Sequence, residues 1–415
     1  MIWPEVKISD VCETGSGGTP ARAKYDRYYH GTIPWVKSGE LEDRLVEGTE
    51  EKITEEGLRE SSAKLVQRDS VLIALYGATV GKTALLRIDA ATNQAVCYLI
   101  PNRKVLKSEY LWFVLRSKQK ELLAQRVGGA QPNISQAIIR KTKLPLPPLS
   151  EQRRIVEILD QADALRKKRA EADKIAERIL PALFYKVFGD PIRNEKGWDK
   201  KPIQSFCSLV RGSSPRPKAD PRYYGGPVPR LMVSDLSRDG LFVNPKTDSL
   251  TNEGAALSRP MKKGEVVMAV SGAVGLPAIL NEDACIHDGF VGFRDLDKSV
   301  NPIYLVVWLN ILKPFLSSQA VGAIWQNLKT EQINKWEVPL PPPPMQDGFA
   351  DRVKEITHLR TTMRRSEEKL NTLVATLTQQ AFSSNLTAKW REAHMKELLQ
   401  EMEEQTKYLG KETSK

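Results

Sequence analysis

Residues 77–83, which read Gly-Ala-Thr-Val-Gly-Lys-Thr, have the composition of a loop that binds a nucleotide phosphate. Such a loop needs four residues between its glycines so that successive backbone amides can curl around the phosphate. Only three residues separate Gly77 from Gly81, and the related stretch 271–277 contains no lysine. We therefore expect no nucleotide site here, but a glycine-rich turn that follows a strand at residues 71–75.

Other possible catalytic motifs are equally incomplete. Asn301-Pro-Ile-Tyr304 resembles the Asn-Pro-Pro-Tyr signature of adenine amino-methyltransferases but departs from it at the third position. An Asn301 that caps a helix, with Pro302 at the first helical position, explains the segment without catalysis. The histidines show neither metal-ligand spacing nor a catalytic triad; they are His30, His287, His358 and His394. The sequence therefore predicts a protein without a catalytic centre or a metal site.

The composition is that of a basic, soluble chain. Its 415 residues include 62 Lys or Arg and 51 Asp or Glu, which gives a net charge of +11 and an isoelectric point near 9.3. This charge favours a polyanionic partner, although many ordinary basic proteins share it. Four cysteines without C-x-x-C spacing indicate free thiols in a reducing compartment. Because no apolar run reaches ~18 residues and the first residues do not resemble a signal peptide, we expect a cytoplasmic protein with no membrane partner.

The chain contains a long internal repeat. At a shift of 195 residues, Trp3 aligns with Trp198 and many positions after it stay in register. One residue is lost after Ala78, and at a shift of 194 the segment 144–148, Leu-Pro-Leu-Pro-Pro, aligns with 338–342, Val-Pro-Leu-Pro-Pro. A repeat of this length predicts a tandem duplication, in which each copy is a globular part followed by a long helix.

Each proline-rich segment predicts a hinge, because proline cannot occupy a helix interior without breaking it. A helical pattern follows each hinge, and Ser150 is a plausible N-cap of the first helix. Residues 152–186 alone would form a rod of roughly 50 Å. Apolar residues recur along both helices at alternating steps of three and four. The first stripe is Ile158, Ala162, Leu165, Ala172, Ala176, Ile179 and Leu183, and the second is Phe349, Ile356, Leu359, Met363, Leu370, Leu373 and Leu377.

Two equivalent helices in one chain favour packing against each other as a coiled coil. The alternative is that each helix lies on the core of a domain. We therefore predict an α+β fold: a tandem duplication of a mixed α/β domain plus a long helix, with pseudo-twofold symmetry.

Two loops carry residues suited to binding nucleic acid. Residues 15–29 combine small residues with Arg, Lys and Tyr, and residues 211–224 of the second copy repeat this combination. Small residues allow a phosphate to approach the backbone, cations neutralise it, and tyrosines stack or donate. The alternative is a solvated loop with tyrosines packed beneath it. Amides at 93–94 and 131–133 could read adenine edges, or could simply form turns.

Several motifs together resemble the specificity subunit of type I restriction–modification systems. Residues 16–20, Ser-Gly-Gly-Thr-Pro, and 33–41, Ile-Pro-Trp-Val-Lys-Ser-Gly-Glu-Leu, are similar to the opening of that family. Residues 77–82 resemble its glycine-rich turn, which Asn93-Gln94 follows. The strongest resemblance is 144–153, where Leu-Pro-Leu-Pro-Pro-Leu-Ser-Glu-Gln-Arg leads into the central helix. The second copy departs more, with Arg230 in place of Trp35.

The resemblance implies two DNA target-recognition domains, each of which reads half of an asymmetric bipartite site in double-stranded DNA. It implies that the two long helices form an antiparallel coiled coil that holds these domains apart. It also implies two partner subunits that methylate adenine N6 and, in the full assembly, restriction subunits that translocate DNA. S-adenosylmethionine, ATP and magnesium would belong to those partners, and this chain would bind no cofactor and catalyse nothing. The implied segments are a first recognition domain at 1–149, a central helix at 150–188, a second recognition domain at 189–343, a distal helix at 344–386 and a helical tail at 387–415.

The DNA contacts that we predict from the two loops and the family motifs come from cationic, hydroxyl, amide and aromatic side chains. In the first copy they are Thr19, Arg22, Lys24, Tyr25, Arg27, Lys37, Ser38, Lys82, Thr83, Asn93, Gln94, Gln131 and Asn133, and in the second Arg211, Ser213, Arg216, Lys218, Arg222, Arg230, Ser271, His287, Gln326 and Asn327. Two alternatives remain at this point. One is a basic P-loop or metal-dependent nucleic-acid enzyme, and the other is a coiled-coil scaffold that reads no DNA.

Overall fold

The computed structural model describes residues 3–125, 133–319 and 328–412, and the chain forms two compact units. Unit 1 contains Met1–Lys168 and Glu367–Lys415, and unit 2 contains Arg169–Ser366. Each unit has one globular part, together with the adjoining portions of two 40-residue helices.

The globular part of unit 1 alternates short strands with short helices. Its strands are β1 Glu5–Lys7, β2 Cys12–Ser16, β3 Tyr29–Val36, β4 Arg44–Val46, β5 Glu51–Ile53, β6 Leu65–Val66, β7 Val71–Ala74, β8 Thr83–Leu86, β9 Ala90–Thr92, β10 Val96–Pro101 and β11 Lys143–Pro145. Its helices are α1 Ile8–Val11, α2 Tyr25–Tyr28, α3 Glu55–Arg59, α4 Ser108–Ser117, α5 Gln119–Ala124 and α6 Gln136–Lys141. The long helix α7, Leu149–Phe188, follows.

The globular part of unit 2 repeats this arrangement. Its strands are β12 Lys200–Pro202, β13 Ser208–Arg211, β14 Tyr224–Leu231, β15 Phe242–Val243, β16 Asp248–Leu250, β17 Arg259–Met261, β18 Val266–Ala269, β19 Pro277–Leu280, β20 Ala284–Ile286, β21 Phe290–Arg294 and β22 Glu337–Pro339. Its helices are α8 Val233–Asp239, α9 Asn252–Leu257, α10 Pro302–Gln319 and α11 Thr330–Asn334. The second long helix α12, Pro343–Phe382, and the tail helices α13 Ala388–Ala393 and α14 Met395–Glu412 follow.

The sheets of the two units have the same strand order. A five-stranded sheet runs β2-β10-β7-β8-β4 in unit 1 and β13-β21-β18-β19-β15 in unit 2. A four-stranded sheet runs β5-β3-β9-β6 in unit 1 and β16-β14-β20-β17 in unit 2, and the pairs β1-β11 and β12-β22 also correspond. The strands that the 195-residue shift aligns with each other, β7 and β18, occupy the same central position. The predicted tandem duplication of an α+β domain is therefore confirmed.

The central strands are apolar throughout because both of their faces are buried. In β7, Val71 and Ile73 contribute to a core that also contains helix α4, whereas Leu72 and Ala74 contribute to a second core shared with the four-stranded sheet. Side chains alternate between the faces of a strand, so one strand can supply both cores. Strand β18 divides its side chains between two cores of unit 2 in the same way.

Within each unit, the start of one long helix packs near the end of the other, as in an antiparallel pair. In unit 1, Ile155 and Leu159 of α7 share a core with Ala381 of α12. In unit 2, the ring centroids of Phe184 and Phe349 lie 5.7 Å apart. The paired long helices agree with the predicted coiled coil.

The predicted stripes were partly wrong in detail. Several residues of the predicted stripes are exposed. They are Leu165, Ala172 and Ile179 on α7, and Leu359 and Leu373 on α12. Ala162, Ala176 and Phe349 of the stripes are buried as predicted, but the other buried positions include Ile155, Leu159, Leu180, Phe184, Val353, Val374 and Ala381. Steps of three and four can be drawn along more than one side of such a helix, so spacing alone did not identify the buried side.

A glutamine fixes the start of each long helix to its own globular part. In unit 1, Gln152 Nε2 donates to the carbonyls of Val105 and Pro147 at 2.8 and 2.9 Å, and its Oε1 accepts from the backbone of Lys107. Gln346 in unit 2 makes the equivalent three bonds, to Ser299, Pro341 and Asn301. These hydrogen bonds explain why a glutamine follows each proline-rich hinge.

The residue before Gln152 makes a cluster that is specific to unit 1. Glu151 is fully buried, and its carboxylate accepts hydrogen bonds from Trp3 Nε1 at 2.9 Å, Thr387 Oγ1 at 2.6 Å and Arg391 Nε at 2.7 Å. These contacts attach the tail to the globular part. In unit 2, Met345 stands at the equivalent position and is 36% exposed.

The tail helix α14 adds further contacts within unit 1. The backbone amide and the hydroxyl of Ser150 both donate to Glu401, and Gln405 Nε2 donates to the carbonyl of Val105 at 3.1 Å. Our prediction that Ser150 caps α7 is wrong, because α7 begins one residue earlier, at Leu149.

Two expectations from composition can also be compared with the fold. All four cysteines are buried and unpaired, as expected of free thiols. In the part of the chain that the structure describes, no helix is both long and apolar enough to cross a membrane. The five segment boundaries taken from the sequence stay a prediction.

Candidate nucleic-acid interface

A cleft lies beside strand β3 in unit 1, which we call the first cleft. It brings together five of the predicted DNA-binding residues, and its lining is Thr19, Arg22, Trp35, Lys37, Ser38, Gly39, Glu40, Glu50 and Asn93. Strand β3 carries Trp35 and pairs in parallel with β9, and Asn93 follows the end of β9. The pairing of these two strands thus brings residues that are almost sixty positions apart in the sequence to one cleft.

The cations of the first cleft are already paired with carboxylates. Arg22 Nη1 lies 2.9 Å from Glu51, and Lys37 Nζ lies 2.8 Å from Glu50 and 3.0 Å from Glu51. The hydrogen bond from Arg22 lowers the pKa of the Glu51 carboxyl, and the same bond raises the pKa of Arg22. A DNA phosphate would therefore have to compete with Glu51 for these two side chains.

Aromatic rings pack against the guanidinium of Arg22. Its guanidinium lies 4.4 Å from the ring centroid of Tyr29 and 5.5 Å from those of Tyr25 and Trp35. Tyr29 and Trp35 are buried, and each donates a hydrogen bond to a backbone carbonyl of the preceding loop. Tyr29 therefore serves as packing beneath the loop, whereas Tyr25 is 37% exposed and could stack on a base.

A corresponding cleft lies beside strand β14 in unit 2, which we call the second cleft. Its lining includes four predicted residues and is formed by Lys218, Ala219, Pro221, Tyr224, Gly225, Arg230, Met232, Asp248, Ser271, His287, Asp288 and Gly289. Arg230 is 8% exposed, forms an ion pair with Asp248 and donates to Ser214 Oγ at 3.0 Å. These contacts fix the position of the Arg230 guanidinium within the cleft.

The two clefts share a hydrogen bond at equivalent positions. Thr19 Oγ1 donates to the side chain of Gln94, and Ser214 Oγ donates to Asp288 at 2.6 Å. The bond from Ser214 lowers the pKa of the Asp288 carboxyl. The clefts are therefore copies of one site in which several side chains have changed.

A second shared feature involves Asn93 and His287, which are also equivalent. Asn93 Oδ1 accepts from the backbone N–H of Ala95 at 3.2 Å, and His287 Nδ1 accepts from that of Gly289 at 2.9 Å. Burial, aided by Arg230, lowers the pKa of His287 and so favours the neutral imidazole. A Cβ atom added at Gly289 would lie 2.5 Å from His287 Cε1, so the ring in its present position leaves no room for a side chain there.

Other predicted residues lie outside the clefts. In unit 1, Arg27 pairs with Glu56 and Glu60, and Lys82 Nζ lies 2.8 Å from Asp43. The other predicted residues of unit 1 outside the lining are Lys24, Tyr25, Thr83, Gln94 and Asn133. Those of unit 2 are Arg211, Ser213, Arg216 and Arg222. Gln131, Gln326 and Asn327 lie outside the described residues.

Thr83 needs a correction, because it is fully buried. Its hydroxyl donates to Asp43 and accepts from Trp112 Nε1. It therefore has no surface through which to contact DNA, and it belongs to the core instead. Sequence reasoning also missed the carboxylates that pair with cations of the clefts, Glu50, Glu51 and Asp248, because no motif or repeat marked them.

The motifs that resembled catalytic sites have structural roles. Residues 77–81 form the turn between antiparallel strands β7 and β8, and Gly77 and Gly81 have φ values of +90° and +79°. A phosphate-binding loop would lead into a helix instead. Asn301 Oδ1 accepts from the backbone of Ile303 at 2.9 Å, so the predicted cap of α10 is confirmed. Within the described ranges, no group of three or more His, Cys, Asp or Glu could hold a metal ion.

Comparison with known proteins identifies the class. Residues 2–176 and 195–372 match the family model described as the type I restriction modification DNA specificity domain. The chain therefore belongs to this family, with one matching region for each copy of the repeat.

The curated relatives are specificity subunits of type I restriction enzymes. The MjaIX subunit of Methanocaldococcus jannaschii is 25% identical over 382 residues, which span 85% of this chain and 86% of the relative. The EcoR124I/EcoR124II subunit of Escherichia coli is 33% identical over 169 residues, which span 39% of this chain and 42% of the relative.

Solved structures share the fold. A chain from a structural study of the assembly and conformational transition of the type I R-M system is 20% identical. It has a TM-score of 0.62, with 93% of this chain and 98% of that chain covered. The type I S subunit from M. genitalium is 13% identical with a TM-score of 0.56, and the comparison covers 92% of this chain and 96% of that one.

Proposed function

We propose that this chain is the DNA-recognition subunit of a type I restriction–modification complex. Each globular part reads one half of an asymmetric bipartite site in double-stranded DNA. The observation that carries this proposal is the duplicated cleft, because both copies place cationic side chains, together with Asn93 or its equivalent His287, beside the same parallel strand pair. Family membership supports the same conclusion.

The two clefts differ where a difference in sequence preference would be expected. Trp35 of the first cleft is replaced by Arg230 in the second, and Lys37 is replaced by Met232. Side chains that differ in charge and shape favour different base edges. The two half-sites therefore have different sequences.

The long helices set the spacing between the half-sites and dock two subunits that methylate adenine N6. Exposed apolar side chains on both helices support a docking role, since large apolar groups on a helix favour a partner. They include Leu165, Ile175 and Ile179 on α7, and Leu359 and Leu373 on α12. In the full assembly, restriction subunits that translocate DNA join the complex.

Catalysis and its cofactors belong to the partners. S-adenosylmethionine is held by the modification subunits, and ATP and magnesium by the restriction subunits. The incomplete loop at residues 77–83 and the capping role of Asn301 support this division, because neither motif retains the arrangement that its chemistry needs. The proposed complex works in the cytoplasm.

The test is methylation mapping. The chain is co-expressed with its modification subunit, and methylated adenines are mapped across a genome that lacks other methylation. We expect one bipartite sequence, with a fixed gap between two different half-sites. The matched control expresses the modification subunit alone, which should methylate no such site.

Two results would contradict the proposal. Methylation without sequence preference in the presence of the chain would favour a scaffold that reads no DNA. ATP hydrolysis or metal-dependent cleavage of nucleic acid by the purified chain would favour an enzyme.

A further inference from the structure

We propose that Asn93 and His287 are equivalent N–H donors that each hold a DNA phosphate in the first and the second cleft. This inference rests on the proposed DNA-recognition function and assigns one task within it. The two residues would fix the position of the DNA backbone in each cleft, while neighbouring side chains read the bases.

Hydrogen bonding to the backbone decides which atom each side chain presents. The amide N–H of Ala95 needs an acceptor, so Oδ1 of Asn93 faces it and Nδ2, with its two hydrogens, is directed elsewhere. The amide N–H of Gly289 likewise occupies Nδ1 of His287, so the proton of the neutral ring is on Nε2. Both side chains are half-buried and line their clefts. Different residue types thus present the same group, an N–H donor.

The donors have no other described partner. Among residues 3–125, 133–319 and 328–412, the side-chain hydrogen bond of Asn93 is the one to Ala95, and that of His287 is the one to Gly289. A polar N–H that lines a cleft without a protein partner is available to a ligand acceptor.

A phosphate fits this donor better than a base edge because the donor occurs in both clefts. The positions around it change from Trp35 to Arg230 and from Lys37 to Met232, as expected if the two half-sites differ. The sugar–phosphate backbone is the part of DNA that both half-sites have in common, and contacts to it position a protein without reading sequence.

The first test replaces the donor without removing the local hydrogen bond. Asn93→Asp retains an oxygen for the N–H of Ala95 but directs a second carboxylate oxygen towards the cleft. In the assembled methyltransferase, we expect roughly a 10- to 100-fold loss of DNA affinity, since a hydrogen bond to a charged group is lost. The loss should be equal for the native site and for sites with base substitutions in the first half.

The control is Asn102→Asp, which makes the same chemical change in the same kind of turn. Asn102 Oδ1 accepts from the backbone of Lys104 at 3.1 Å, and Asn102 does not line the first cleft. Its affinity should stay within about threefold of the unmodified complex. Equal effects of the two substitutions would overturn the proposal, because a general charge effect would then explain both.

The second test uses the second cleft. His287→Asp should weaken binding as Asn93→Asp does, whereas His287→Asn should recover most of the affinity because it restores the donor of the first copy. Circular dichroism and assembly with the modification subunit check that each variant folds. If one aspartate variant fails to fold, the other cleft still provides the comparison.

The outcomes separate this inference from the proposed function. An unmodified complex that binds no specific DNA would contradict the proposed function itself. If that complex binds normally, two results contradict the inference alone. One is His287→Asn binding as weakly as His287→Asp, and the other is a changed base preference at one position in Asn93→Asp.

Discussion

The buried cluster around Glu151 predicts a large and localised effect of Arg391→Met. Arg391 is 6% exposed and donates to a carboxylate that has no exposed surface, and its Nη2 also donates to the carbonyl of Ser384 at 2.6 Å. Methionine fills a similar volume without a charge. It would leave a buried carboxylate with only the neutral donors Trp3 and Thr387. Breaking one side of a buried ion pair costs about 3–5 kcal/mol.

Calorimetry of the full chain measures this loss. Because the cluster lies within unit 1, we expect the thermal transition of unit 1 to fall by roughly 10 °C, at ~2–4 °C for each kcal/mol in a unit of this size. Hydrogen exchange provides the local readout. Peptides from α13 and α14 should exchange faster in Arg391→Met, since the tail loses its main polar attachment.

The double variant Glu151→Met, Arg391→Met should recover part of the loss, because replacing both members of a buried pair by apolar residues is often nearly neutral. The control is Lys143→Ala, which removes an exposed ion pair with Glu5 at 3.8 Å and should cost less than ~1 kcal/mol. If Arg391→Met shifts the transition no more than Lys143→Ala, the cluster does not hold the tail.

Three further predictions concern the DNA-bound complex. Glu51→Gln removes the carboxylate that neutralises Arg22 and Lys37 of the first cleft, so the affinity of the complex for DNA should rise. Titrations at several salt concentrations should also show that the slope of log K against log salt steepens by roughly one. Lys82→Ala should weaken DNA binding and make that slope shallower by ~0.9 if the Lys82 side chain leaves Asp43 to bind a phosphate. An unchanged slope would show that Lys82 does not contact DNA. If the long helices set the half-site spacing, deleting residues 158–164 together with 370–376 should shorten each helix by ~10 Å and the gap by roughly 3 base pairs. Methylation at the original spacing would contradict that role.

The fold could be predicted from the sequence because the chain contains two copies of the same domain, which can be aligned with each other. The 195-residue shift aligns the residues of β7 with those of β18, and the proline-rich motif indicates where each long helix begins. The identity of the buried helix stripe could not be predicted in detail. Leu165 and Leu359 are apolar and correctly spaced but exposed, since burial depends on which side a neighbouring element covers.

The clefts show a similar limit. The first loop and the motif at 33–41 pointed to Arg22 and Lys37, which line the same cleft, but nothing in the sequence indicated that Glu51 pairs with both of them. That contact depends on the pairing of β3 with β5, which is a tertiary feature. Thr83 was misplaced for the same reason, because it directly follows Lys82 in the sequence while its side chain lies in the core beside Trp112.

The pairing of His287 with Gly289 also constrains how the two copies could have diverged. The first copy has Asn93 and Ala95, and a histidine with the ring position of His287 would collide with a Cβ at the second position, as the 2.5 Å approach at Gly289 indicates. If the common ancestor had Asn and Ala, a histidine could take this ring position only if the alanine became glycine before, or together with, the change from asparagine to histidine. In the opposite direction the asparagine must come first, which leaves Asn with Gly as the tolerated intermediate on either route.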